Sequence, residues 1–261
     1  MVFNYFEVHL TEHCNLNCQS CDNFSPLAEK EFVNVHSFAK DLLRISHLAE
    51  KDIKLIRLLG GEPLLHPEVS TLCRMTRAYF LESEIRLTTN GILLNQMSEE
   101  FWINCNENNI TIEITFYPIN IGFDKIEEKA KKYNVKVIPF GNIKKPEKFS
   151  YRNPINIKGD QNIDQNWANC YQVGSCTSLK DGKLYPCSCI PNICHFNKFF
   201  GKNVPVTTKD YIDIYKIESK KQIEEFLDTP VPFCAYCNVN NRTKGKKWDV
   251  TKKDIGEWLD D

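Results

Sequence analysis

The sequence predicts an α/β fold built on parallel strands. Three observations carry that expectation. Strand-like and helix-like segments alternate through the first 140 or so residues, a pattern that implies parallel strands joined by right-handed crossovers. The runs that look chemically specialised follow directly after strand-like segments, where parallel α/β folds gather their ligands. A chain of 261 residues with 42% hydrophobic content can bury the core of one domain with an appendage, or of two small domains.

Taken in order, strands are predicted at residues 6–11, 54–59, 85–89, 110–116 and 135–140. Helices are predicted at 36–50, 67–81, 98–106 and 123–133, with Ser98 as an N-cap. Cys73 belongs to the stripe Val69, Leu72, Thr76, Tyr79 and Phe80. Cys105 stands four residues after Phe101 and eight after Met97. Both fit the inward face of an amphipathic helix, so both are read as small core hydrophobes. Residues 144–167 are rich in Asn, Lys, Pro and Gln without periodicity and read as a linker or irregular cover. Domains are therefore expected at 1–145 and 170–261, with 146–169 as linker or last barrel elements.

A formal charge of −1 gives no reason to expect nucleic acid or membrane as a partner. The start MVFNYFEVHLTEH has no positive n-region or continuous apolar h-region, and no run approaches the roughly 18 apolar residues of a spanning helix. A cytoplasmic protein is expected, and in that compartment twelve cysteines point to metal ligands rather than disulfides.

The first cysteine group is Cys14, Cys18 and Cys21 in CNLNCQSC, spaced C-x3-C-x2-C. Three thiolates on one loop can hold a 4Fe-4S cubane and leave its fourth iron open for an exchangeable ligand. A zinc site completed by His13 is the competing reading. The second signature is Gly60, Gly61, Glu62 and Pro63, where two glycines allow close backbone approach and the Glu62 carboxylate can accept from a charged amine.

Together CNLNCQSC and GGEP resemble the radical S-adenosylmethionine (SAM) superfamily. The resemblance implies a partial (β/α)6 TIM-like barrel and a cluster that binds SAM at its open iron. It also implies an electron donor such as flavodoxin or ferredoxin, and reductive cleavage of SAM to a 5′-deoxyadenosyl radical aimed at one C–H bond of a small-molecule substrate. Thr88, Thr89, Asn90 and Gly91 after the third strand, and Thr115, Phe116 and Tyr117 after the fourth, are placed by it at the same mouth, with Thr89, Asn90 and Thr115 as SAM contacts. The plain alternative for TTNG is a turn. Many members carry an aromatic residue before the third cysteine, whereas this chain has Ser20. Adenine stacking is then assigned to Phe24 or Phe140.

A second cysteine region holds Cys170, Cys176, Cys187, Cys189, Cys194, Cys234 and Cys237, with Asp181-Gly182 as a hairpin signal. It resembles the twitch domain that follows some radical SAM barrels, which implies an auxiliary 4Fe-4S cluster held by Cys170, Cys187, Cys234 and Cys237. Structural zinc would use the same residue types. The layout is similar to that of aminocyclitol dehydrogenases with barrel and twitch, and the N-terminal run is similar to that of small radical SAM proteins of glycan biosynthesis. These resemblances imply dehydrogenation of a carbohydrate-type substrate, with the second cluster taking up an electron. An epimerase would use a thiol hydrogen donor, for which Cys176 and Cys189 are the candidates. A peptide substrate, and a non-catalytic iron-sulfur electron carrier or sensor, remain as alternatives. The basic run 242–253 (Arg242, Lys244, Lys246, Lys247, Lys252, Lys253) reads either as a solvated surface or as a grip on a phosphorylated substrate.

Overall fold

A computed structural model describes residues 1–49, 52–140, 148–152 and 154–259. In chain order its elements are β1 (Tyr5–Thr11), α1 (Val35–Leu48), β2 (Leu55–Gly60), α2 (Val69–Tyr79), β3 (Glu84–Thr89), α3 (Glu99–Glu107), β4 (Ile110–Thr115), α4 (Phe123–Lys132) and β5 (Val137–Phe140). The alternation expected from sequence is present, with ends displaced by a residue or two. Glu50, the last residue of the expected first helix, lies outside the described residues, as does the expected boundary at 145–146. Ser98 caps α3, its side chain accepting from Phe101 N, and Asn34 caps α1 by accepting from His36 N and Ser37 N.

The remaining elements are β6 (Phe149–Arg152), α5 (Ile163–Asn169), β7 (Ser178–Lys180), β8 (Lys183–Tyr185), α6 (Cys189–Phe200), β9 (Ile212–Asp213), α7 (Lys220–Leu227) and β10 (Thr243–Lys247). One eight-stranded open sheet runs β5-β4-β3-β2-β1-β7-β8-β9, the partial-barrel architecture expected. Its parallel part is β5 to β1 plus β7, which pairs with β1 through Glu7 opposite Ser178. This sixth parallel strand is three residues long and sits inside the cysteine-rich segment, so no pattern marks it in the sequence. Asp181 and Gly182, at φ 48° and 70°, close the β7–β8 hairpin, as their positive-φ preferences direct. Residues 178–185 and 212–213, assigned from sequence to the second domain, thus extend the sheet of the first.

The two faces of the sheet differ. Phe6, Val8, Leu10, Ile56, Leu58, Ile85, Leu87, Ile112 and Ile114 are buried in one apolar cluster with residues of α1, α2 and α3. Cys73 and Cys105 belong to that cluster, as expected. The opposite face is polar: Glu113 pairs with Arg57 at 3.2 Å and Arg86 at 2.8 Å and accepts from Thr88 Oγ1, while Glu7 accepts from Tyr5 and Ser178. A second apolar cluster (Phe24, Ile155, Ile190, Phe196, Phe233, Trp258 and others) surrounds the later cysteines.

Replacing Asn34 by Ala removes the acceptor for two N–H groups at the start of α1. It is expected to cost about 1 kcal/mol, read as a lower urea midpoint at unchanged slope.

Candidate functional site

The chain leaves β1 and turns through Cys14, Cys18 and Cys21. What positions this turn is the end of β2. Gly60 has φ +143°, and a Cβ there would lie 2.4 Å from the Thr11 carbonyl oxygen. A Cβ on Gly61 would lie 2.0 Å from that of His13. Hydrogen bonds fill the contact: Gly61 N donates to Thr11 O (2.9 Å), Glu62 N to His13 O (3.1 Å) and Thr11 Oγ1 to Glu62 O (3.0 Å). The GGEP run therefore fixes the base of the cysteine loop as well as approaching a ligand.

Glu62 is fully buried, and its carboxylate accepts from Thr89 Oγ1 (2.6 Å), Asn90 N (2.9 Å) and Leu64 N (3.1 Å). Burial pushes its carboxyl up to about 7. The side chain expected to meet a charged amine instead ties the end of β2 to the end of β3. Pro63 begins a short 3-10 turn and is buried with it.

Around them opens a cavity of about 190 Å³ lined by Cys14, Cys18, Cys21, Gly60, Gly61, Thr88, Thr89, Asn90, Thr115 and Tyr117, among others. The three first cysteines, both glycines and three expected SAM contacts are thus brought together. Asn90 Nδ2 donates to Asn15 Oδ1 at 2.8 Å and lies 3.7 Å from the Cys14 sulfur. Phe116 turns into the core. Phe24 lines a different cavity, and Phe140, 55% exposed, does not line this one; Tyr117 is the aromatic residue at this wall.

Ser20, in the left-handed region at φ 56°, donates its hydroxyl to Glu257 O at 2.7 Å. It anchors a C-terminal segment that the sequence hid. Gln19 N donates to Asp249 O, Thr251 N to Asn17 O, and Trp258 Nε1 to Cys21 O at 3.1 Å. Of the basic run, Arg242 stacks on Tyr171 at 4.6 Å and Lys253 stands over Phe199 at 5.5 Å; the side chains of Lys244 and Lys246 lie outside the described residues. The run is built into a belt over the cysteine loop.

Cys170, Cys187, Cys234 and Cys237 line one further cavity, walled mostly by apolar side chains. They come from the end of α5, the residue pair after β8, and the 3-10 turn Pro232–Tyr236. Asn166 donates to the carbonyls of Cys234 and Cys237. Cys189, expected to be a spare thiol, lines the same cavity and interacts with Cys237. Burial pushes the thiols of Cys170, Cys187 and Cys234 up, that of Cys234 to about 12, and crowding among the sulfurs adds to the effect. Cys176 stands near Glu7, Asp22 and Arg57, and Cys194 is exposed beside His195.

The cavities share a wall: Cys21 faces the first, Asp22 and Phe24 the second. Asp22 accepts from Tyr171, next to Cys170. Among the described residues no three His, Cys, Asp or Glu side chains stand close enough to hold a single metal ion. Thiols spread over a cavity wall suit a cluster, whose sulfurs need not converge on one point, and the Gly, Thr and Asn groups of the first cavity suit a hydroxylated nucleoside beside it.

Sequence reasoning missed Glu12, which pairs with His195 at 2.6 Å and Lys180 at 2.8 Å, all three largely buried. Partners some 170 residues apart carry no local signal.

The family model described as the radical SAM superfamily matches residues 8–138, half of the chain. The GTP 3′,8-cyclase of Aliarcobacter butzleri (strain RM4018) is 35% identical over 98 residues, and that of Campylobacter jejuni subsp. jejuni serotype O:2 is 31% identical over 97. Each match covers 37% of this chain and 30% of the relative. The crystal structure of BtrN in complex with AdoMet and 2-DOIA superposes with a TM-score of 0.57 at 16% identity, covering 91% of this chain and 94% of that one, which speaks to fold.

Gly61→Ala drives a methyl group into the His13 carbonyl. It is expected to displace the cysteine loop and to retain less than half of the wild-type iron after anaerobic reconstitution. Glu62→Gln leaves the N–H of Asn90 or of Leu64 facing an amide NH2, and is expected to cost about 1–3 kcal/mol by urea denaturation, with the fold retained by circular dichroism.

Proposed function

The chain belongs to the radical SAM superfamily, and from that premise we propose that it is an oxidoreductase that dehydrogenates a small hydroxylated, carbohydrate-type substrate. A 4Fe-4S cluster and SAM are its cofactors. In this reading Cys14, Cys18 and Cys21 hold the cluster, and Gly60, Gly61, Thr89, Asn90 and Thr115 surround SAM. Cys170, Cys187, Cys234 and Cys237 hold an auxiliary cluster. Bound there, the groups supply reductive cleavage of SAM to a 5′-deoxyadenosyl radical, a hydrogen-atom acceptor, and a second site that accepts an electron.

One observation carries the choice of dehydrogenation: a second cavity with five thiols and an apolar wall stands directly behind the first. A site walled in this way has few polar groups with which to bind a substrate, and thiols enough to close off every iron, which suits electron uptake. Oxidation of a carbinol to a carbonyl releases a hydrogen atom, a proton and an electron, so it needs such an acceptor.

The chain's own residues support a hydroxylated substrate. Thr88 lines the first cavity and donates to Glu113, which ties Arg57 and Arg86 into one polar network on the same face of the sheet. Such a face offers hydrogen bonds to hydroxyl groups and little apolar surface. The first electron would come from a donor such as flavodoxin or ferredoxin. A second reading, an epimerase, draws on Cys176, whose thiol stands near Glu7 and Arg57 of that polar face.

The test is anaerobic turnover with SAM, a reductant and a panel of sugars, aminocyclitols and nucleotide sugars in deuterium oxide, with mass spectrometry of the product. Dehydrogenation is expected to give 5′-deoxyadenosine and a product two hydrogens lighter. A product with one solvent deuteron and no such loss would refute dehydrogenation in favour of the Cys176 reading.

A further inference from the structure

Residues 248–251 lie along the cysteine loop. Gln19 N donates to Asp249 O at 2.8 Å, Thr251 N to Asn17 O at 3.0 Å, and Cys18 forms an antiparallel bridge with Val250. This pairing carries Trp248 against the loop rather than out to solvent. Its ring meets Tyr117 edge-on, with centroids 5.6 Å apart. Its Nε1–H is buried and has no hydrogen-bond partner among the described residues. A buried indole N–H ordinarily has an acceptor.

The acceptor beside it is sulfur. Cys18 is the thiol that the indole of Trp248 and the hydroxyl of Tyr117 face, in the loop that Val250 pairs with. Lys148 stands over the Tyr117 ring at 5.4 Å and adds positive charge near Cys18. Hydrogen bonds to cluster sulfurs, net charge and burial set the reduction potential of an iron-sulfur cluster. Reduction adds negative charge to the cluster, so a donor aimed at sulfur stabilises the reduced state more than the oxidised one and raises the potential.

We propose that Trp248 is a positioning residue whose indole N–H donates to the Cys18 thiolate when the cluster is bound, and that it makes the cluster easier to reduce. The proposal rests on the reading of Cys14, Cys18 and Cys21 as cluster ligands. It gives the C-terminal belt a task in electron entry, and it makes the neighbouring Tyr117 hydroxyl a second donor to the same sulfur.

The full chain, reconstituted anaerobically, would be titrated with reductant and followed by electron paramagnetic resonance. In a Cys170→Ala/Cys187→Ala/Cys234→Ala/Cys237→Ala background, which leaves one thiol in the second cavity, the signal belongs to the first cluster. Trp248→Phe keeps an aromatic ring and removes the N–H. It is expected to retain the iron of the parent and to shift the midpoint to a more negative potential, with Tyr117→Phe shifting it the same way. Val250→Ala, which leaves the backbone pairing, should not move it. A Trp248→Phe midpoint equal to that of the parent would overturn the proposal. Should Trp248→Phe lose its cluster, the unsubstituted chain grown on 15N-indole-labelled tryptophan decides: nitrogen coupling to the reduced cluster that Trp258→Phe leaves in place supports the donation, and no coupling overturns it. Absence of iron in the parent would refute the cysteine reading itself, and the proposal with it.

Discussion

Everything at the mouth of this sheet depends on a contact that leaves no room for a side chain. Gly60 and Gly61 lie against the backbone of residues 11–13 so closely that any Cβ would overlap a carbonyl oxygen. The contact joins the ends of β1 and β2, and Glu62, buried in the same turn, joins β2 to β3 through Thr89 and Asn90. Three strand ends are thereby fixed with respect to one another before any ligand arrives. The cysteine loop takes its position from this platform and from the C-terminal belt that crosses it.

The electrostatics of both cavities follow from burial. Most of the thiols that line them are pushed above their ordinary range because a charged sulfur in a low-dielectric wall is costly. Metal binding reverses this logic: a coordinated sulfur is a thiolate, so filling either site releases protons, and affinity rises with pH. Burial of Cys14, Cys21, Cys187 and Cys234 favours their neutral thiol form in the folded chain without metal, which makes crowding them together tolerable. The second cavity is the clearer case. Five thiols share it with apolar side chains, and only the shared wall of Cys21, Asp22 and Phe24 separates them from the first group.

Much of this was legible in the sequence, for identifiable reasons. The strand and helix alternation, the cap at Ser98, the core roles of Cys73 and Cys105, and the hairpin at Asp181-Gly182 are local properties, and local patterns report them. Cys14, Cys18 and Cys21 share a cavity because their spacing on one loop constrains them, whereas Cys170, Cys187, Cys234 and Cys237 come from three separate elements and only the resemblance grouped them. What sequence could not show is non-local. The sixth strand is too short to carry a period, and its place beside β1 is set by pairing. Cys189 joins the other four by the turn into α6. Ser20 looks like a lost aromatic contact until Glu257, 237 positions later, is seen to take its hydroxyl. Glu62 has the residue type expected at an amine site, yet its burial and three hydrogen bonds give it a task inside the wall.

The proposed chemistry requires two separate cluster sites divided by the Cys21–Asp22 turn. The most direct measurement is iron and labile sulfide in three anaerobically reconstituted proteins: the native chain, Cys14→Ala/Cys18→Ala/Cys21→Ala, and Cys170→Ala/Cys187→Ala/Cys234→Ala/Cys237→Ala. Two cubanes require about eight irons in the first and about four in each of the others. Four irons with one zinc in the native chain, or loss of all iron in either variant, would contradict it.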